Sequence, residues 1–192
     1  HASLSLFGWI GLILSVGGIN GVGINTAHEL GHKQPRWERR LARLALAPTG
    51  YGHFYVEHNR GHHLRVATPA DPASSRMGES FWAFLPRTML GSLRSAWALE
   101  AERLQRQGHS RWHWRNECLQ AWSLTVLLFG ALGLWLGPSV LPFLLLQAFY
   151  GASLLEVVNY IEHYGLLRPL NPHTGRPVPC APEHSWNASH SA

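Results

Sequence analysis

Two stretches without a single Lys, Arg, Asp or Glu, Ala2–Ala27 and Cys118–Leu155, constrain this chain more than any other feature. An apolar helix of about 20 residues crosses a bilayer, so the first stretch accommodates one crossing. The second is long enough for two, and Gly137-Pro138-Ser139 breaks it near its middle. Helices buried in a soluble core rarely run so far without a charge. Of the 192 residues, 46% are hydrophobic and only 14% charged, which is apolar for a soluble domain. The expectation is an all-α, polytopic membrane helical bundle. Its three transmembrane helices lie at about 4–27, 118–136 and 139–158 of a single membrane-embedded domain covering 1–192. No basic region precedes the first stretch, so it does not read as a cleaved signal peptide. The sequence reads as an internal segment of a longer protein, incomplete at both ends and, by itself, inactive as an enzyme.

Chemistry concentrates between the spans. His28-Glu29-Leu30-Gly31-His32 is followed by Glu57-His58-Asn59-Arg60-Gly61-His62-His63, and later by Asn159-Tyr160-Ile161-Glu162-His163-Tyr164-Gly165. In a helix, residues four apart share a face, so His28 and His32, and likewise His58 and His62, form metal-binding edges. His63 lies one step round and can reach a different metal from the one His62 serves. A lone histidine is ordinarily a polar contact, but these spacings together indicate a metal site of undetermined identity. Asp71 and Glu79, in the Pro- and Gly-broken loop Val66–Ser80, are the carboxylates nearest in sequence. They are candidates to accept the second N–H of a metal-bound imidazole, and ordinary solvated loop charges otherwise.

Span parity gives an independent check. If the first span ends at His28, Lys33–Arg115 lies on the same side, and the hairpin returns His163 there. Fourteen of the 16 Lys and Arg residues fall within Lys33–Arg115, and Arg168 and Arg176 share that side. Positive flanks make this face cytoplasmic, so the histidine-box helices are expected on the cytoplasmic side.

Between the boxes, Trp37–Ala47 mixes bases with apolar residues as an interfacial helix does. The glycines Gly17, Gly18, Gly21 and Gly23 suit close helix packing. Leu90, Leu93, Trp97 and Leu104 recur at helical spacing within Pro86–Gln107, opposite Arg87, Arg94, Glu102 and Arg106. The net charge of +5 suits membrane lipid headgroups or an acidic protein. Nucleic acid is not a partner, because no recognition motif accompanies the arginines. Two cysteines, Cys118 and Cys180, cannot build a four-cysteine iron site, and no glycine-rich nucleotide loop is present. Any reducing electrons therefore come from another polypeptide or domain.

These boxes, with the Ala67–Ser80 loop and Pro182-Glu-His-Ser-Trp-Asn187, resemble the bacterial membrane alkane 1-monooxygenases over nearly the whole chain. The resemblance implies a non-haem diiron enzyme that hydroxylates the terminal methyl of medium-chain n-alkanes with O2. Rubredoxin, reduced by an NADH-dependent reductase, would supply the electrons, and no haem or nucleotide would be bound. By the same resemblance the iron ligands are His28, His32, His58, His62, His63 and His163, with Glu57, Asp71, Glu79, Asn159 and Glu162 as supporting candidates. Family members carry further helices before the first box and a last three-histidine box, neither of which occurs here; His184 is not a ligand by this pattern, and His190 lies at the chain's end. Trp135, Phe143, Phe149 and Tyr150 are candidates to line an alkane channel, or else to face lipid.

Other readings stay open on the residues. His28-Glu-Leu-Gly-His32 also fits a membrane zinc metallopeptidase with Glu29 as general base, but that leaves the remaining histidines unexplained. Xylene-type monooxygenases and fatty-acid desaturases share histidine boxes; Glu162 and the first box favour the alkane group. A metal transporter would carry looser histidine repeats.

Overall fold

A computed structural model describes residues 4–33 and 35–186. Asn187 and His190 lie outside them. The described residues are helical, with no strand beyond an isolated bridge between Leu170 and Pro177. In chain order the helices are α1 (Leu6–Gly31), α2 (Arg36–Leu46), α3 (Phe54–Glu57), α4 (His63–Arg65), α5 (Phe81–Arg106), α6 (Glu117–Leu136) and α7 (Leu141–Glu162). A single π turn, His58–His62, joins α3 to α4.

Three helices are long and apolar enough to cross a membrane: Leu6–Gly31, Glu117–Leu136 and Pro138–Glu162. They match the expected spans but run further at the histidine ends. Charge-free sequence marks the apolar part of a helix, whereas backbone hydrogen bonding continues into polar residues until it is capped. α1 thus carries His28 on its last turns, and α7 delivers His163 at its C-cap. Gly137, at φ 91°, takes the turn of the α6–α7 hairpin in a region that favours glycine.

α1 and α7 touch backbone to backbone. A Cβ on Gly17 would stand 2.7 Å from the Gln147 carbonyl oxygen, and one on Gly151 would stand 2.9 Å from that of Gly17. Asn20 donates to Gln147 Oε1 at 2.7 Å within this contact. Small residues let membrane helices approach this closely. Much of the outer surface of the three spans stays exposed, including Trp135 (79%) and Leu134 (91%), and so suits lipid or further helices.

The core sits at the histidine end. Ile24 and Ala27 of α1, Ala42 and Leu46 of α2, Val56 of α3, Ala96 of α5 and Ala152 of α7 meet there. α5 starts five residues before the expected Pro86, because Ser80 caps it by accepting from the Ala83 N–H. Pro86 then forfeits one donor in an early turn. Arg87, expected on the solvent side, instead bridges Glu79 at 2.7 Å and the carbonyls of Pro72 and Ser74, pinning the Val66–Ser80 loop to α5.

The histidine end of all three spans lies on one side of the hairpin turn, which fixes a topology prediction. In the full-length protein, a cysteine at exposed Ser139 and one at exposed Glu102 should be labelled by an impermeant thiol reagent only from opposite sides of the membrane. Labelling of both from one side contradicts three crossings.

Candidate metal centre

The π turn decides how the second histidine box is presented. His63 N–H bonds the His58 carbonyl, five residues back, so the two imidazoles come to one side. Their Nε2 atoms lie 2.9 Å apart. Those of His28 and His32, one helical turn apart on α1, lie 3.0 Å apart. One ligand atom from each of His28, His32, His58 and His63 falls within 4.8 Å of every other. Donors on one metal with bonds of about 2.0–2.1 Å stand about 3 Å apart, so this cluster fits an ion at its centre.

His62 faces elsewhere. Its Nδ1 pairs with Asp71 Oδ2 at 2.9 Å, and its ring lies 4.9 Å from that of His163. His163 Nδ1 is buried without a hydrogen-bond partner among the described residues, an arrangement a second ion would satisfy. The sequence expectation that His62 and His63 diverge agrees with this geometry. The expected sharing of one edge by His58 and His62 needs correction. Their rings stack at 5.4 Å, but the extra residue per turn groups His58 with His63.

Electrostatics prepare the cluster for a cation. Burial, reinforced by His62, His28, His63 and His32, pushes the His58 imidazole far below its ordinary pKa. Burial and neighbouring imidazoles hold His63 down to about 4. Both are therefore neutral at pH 7, the form that binds metal. Burial also opposes charge on His62, yet the Asp71 hydrogen bond and carboxylate raise it overall; Asp71 is correspondingly lowered. Asp71 is 2% exposed and also accepts from Ser74 Oγ at 2.6 Å.

The other carboxylate candidates separate. Glu162 lines the same cavity as the histidines, and so does Asn159, which donates to Glu156 at 3.2 Å. Glu57 is bonded to Arg65 at 2.6 Å, not to a histidine. Glu79 is likewise held by Arg87, at 2.7 Å. Adjacent in sequence, Arg60 ties the π turn to Glu100 of α5 and Glu117 of α6, while Arg103 also bonds Glu100 at 2.7 Å.

A cavity of about 270 Å³ opens beside both imidazole groups. Its apolar wall is Phe54, Val66, Leu155 and Val158, with Asn25, Cys180 and Ser185 at polar positions. None of Trp135, Phe143, Phe149 or Tyr150 lines it. Those four belong to the far half of the spans, where Phe143 packs on Trp9 at 5.8 Å and Phe149 is exposed. The true lining was legible in helical phase: Leu155, Val158, Asn159 and Glu162 lie at i, i+3, i+4 and i+7, ending beside His163. His184 is buried and accepts from the Ala181 N–H through Nδ1.

Replacing Asp71 by Asn keeps the volume and removes the charge that orients His62. Metal affinity in the full-length protein should fall about 10- to 100-fold, read by chelator competition. Unchanged affinity would detach Asp71 from the centre.

Known proteins resemble this chain in sequence. The Alkane 1-monooxygenase of Acinetobacter baylyi is 51% identical over 174 residues, covering 91% of this chain and 42% of that protein. Alkane 1-monooxygenase 1 of Alcanivorax borkumensis is 50% identical over 187 residues, covering 97% and 46%. The xylene/toluene monooxygenase hydroxylase component of Pseudomonas putida is 30% identical over 178 residues, covering 92% and 47%. The chain thus spans somewhat under half the length of these relatives. Residues 3–192 match the fatty acid desaturase family. With a match of that extent, and membrane-length helices that carry clustered imidazoles suited to a non-haem metal, the chain belongs to the fatty acid desaturase family.

Proposed function

We propose that this chain is the metal-binding part of a diiron alkane 1-monooxygenase in a bacterial inner membrane, its histidines facing the cytoplasm. The observation that carries the reading is the convergence of His28, His32, His58 and His63 in a chain half identical to alkane 1-monooxygenases. The substrate is a medium-chain n-alkane, and the reaction adds one oxygen atom of O2 to its terminal methyl. Two electrons and two protons reduce the other atom to water; the electrons come from rubredoxin, itself reduced through its NADH-dependent reductase.

The two irons would supply activation of O2, as imidazole-rich sites suit iron. His28, His32, His58 and His63 would hold one, and His62 and His163 would contribute to the other. Asp71 holds the His62 ring by its Nδ1 proton, leaving Nε2 free. Phe54, Val66, Leu155 and Val158 exclude water and direct the alkane end toward the imidazoles. Cys118, buried in the core, and Cys180, at the cavity rim, are both free thiols and do not form a redox pair with each other.

A zinc peptidase reading would make Glu29 the general base, but Glu29 is 68% exposed and its nearest partner is His28 Nδ1, at 3.2 Å. Full-length protein supplied with reduced rubredoxin should convert octane to 1-octanol. Glu29→Gln should keep turnover within about 10-fold of wild type, the lower end of the effect of an outer-sphere change. Absence of octanol from iron-loaded wild type, or peptide hydrolysis abolished by Glu29→Gln, contradicts the reading.

A further inference from the structure

A row of aromatic rings runs from the histidine cluster to the protein surface. The Phe54 ring centroid lies 4.9 Å from that of His58 and 6.3 Å from that of Tyr51. Tyr51 meets His53 at 4.5 Å, and His53 meets Trp122 at 6.3 Å. Trp122 stacks on Trp97 at 5.8 Å with 14° between planes, and Trp97 contacts Trp112 at 4.9 Å. Tyr51 is 3% exposed and Trp112 66%, so the row starts in the core and ends in the open loop between α5 and α6.

Two details suit this row to charge movement. The Tyr51 hydroxyl donates to Glu156 Oε1 at 2.7 Å. Thr88 and Asn159 donate to Glu156 Oε2, so both oxygens of this carboxyl group accept hydrogen bonds. A phenol becomes strongly acidic on losing an electron, and here a proton acceptor is already bonded to it. Between Tyr51 and Trp122, His53 is buried with neither ring nitrogen hydrogen-bonded among the described residues, and burial holds it neutral at pH 7. It adds no charge that would trap a passing hole.

We propose that Tyr51, Trp122, Trp97 and Trp112 form a hole-transfer chain that drains one-electron oxidising equivalents from the metal centre to the surface. The source of the oxidant rests on the hydroxylase reading; the path rests on the ring geometry. When O2 is activated without an alkane in the cavity, Tyr51 would give up one electron toward the histidine cluster while its phenolic proton passes to Glu156 Oε1. The tyrosyl radical takes an electron from Trp122 and recovers its proton from Glu156. Trp122 is restored by Trp97, and Trp97 by Trp112. At the surface, a small reductant of the thiol or ascorbate class returns one electron to the Trp112 radical cation. One external electron thus reduces the centre, and no residue is left modified. Trp114, 71% exposed in the same loop, rests against His113 and Arg115 and lies off this path.

A ruthenium photo-oxidant attached to exposed Cys180, which lines the metal cavity, supplies the hole without iron. The metal-free full-length protein is flashed with an electron-accepting quencher, other reactive cysteines having been replaced, and oxidised residues are mapped by mass spectrometry. Trp112 should be oxidised well above Trp114, and Trp97→Phe should reduce Trp112 products to background while leaving Trp114 unchanged. Trp112→Phe, at an exposed site where folding is not at issue, should instead leave a radical on Trp97, read by paramagnetic resonance. Equal oxidation of Trp112 and Trp114, or Trp112 oxidation that survives Trp97→Phe, overturns the chain. A second arm uses iron-loaded protein with reduced carrier and O2 but no alkane. Trp97→Phe should then accumulate oxidation in the Tyr51–His58 peptide faster than wild type. Equal accumulation overturns the protective role. No O2 consumption by wild type overturns the hydroxylase reading and that role with it, whatever the photo-oxidant result.

Discussion

Full-length protein carrying His58→Ala is expected to lose alkane hydroxylation and metal binding together while remaining folded. His58 is the hub of the cluster, its ring lying 4.4 Å from those of both His28 and His63 and 5.4 Å from that of His32. Outer-sphere changes cost about 10- to 100-fold in metal affinity, so loss of an inner donor should exceed 100-fold. Folding should survive, because the half-buried imidazole is neutral without metal and its removal strands no charge. The two effects separate by melting temperature. Metal binding to the native state stabilises wild type, so a chelator should lower its melting temperature. In His58→Ala the melting temperature should not respond to chelator. Near-normal turnover by the variant would remove His58 from the ligands.

Gly151→Leu should be nearly as damaging, from the middle of a span. The new Cβ would meet the Gly17 carbonyl oxygen at 2.9 Å and the Gly21 nitrogen at 3.3 Å, both backbone atoms with no rotamer to yield. Overpacking of this kind costs about 1–3 kcal/mol. It also forces apart the two helices that bring His28, His32 and His163 to one place. A displacement of about 1 Å at a catalytic centre can cost about 100-fold in rate, so turnover should fall to that degree in protein that still inserts. Gly151→Ala should fall between, since its Cβ meets the same oxygen. Wild-type turnover by Gly151→Leu would show that this contact does not position the centre.

Much of this was legible in the residues. Charge-free sequence marked three spans, and span parity brought six box histidines to one end. The π turn was not legible: apolar periodicity reports which face is buried, not whether one N–H reaches back five residues instead of four. His58 was therefore paired with His62, although the structure gathers it with His63. Glu79 shows a second limit. Proximity in sequence suggested a role at the histidines, whereas Arg87 meets it one helical turn into α5. Residue type makes the far-end aromatics Trp135 and Phe149 candidates for either channel or lipid, and their exposure suits lipid; helical phase points instead to Leu155 and Val158, which share a face with Glu162.

Metal analysis of purified full-length protein, combined with Mössbauer spectroscopy, should find two irons per chain held by these imidazoles, lost together with octanol formation in His58→Ala. One zinc per chain, or two irons retained in His58→Ala, would show that the imidazoles do not hold a diiron centre.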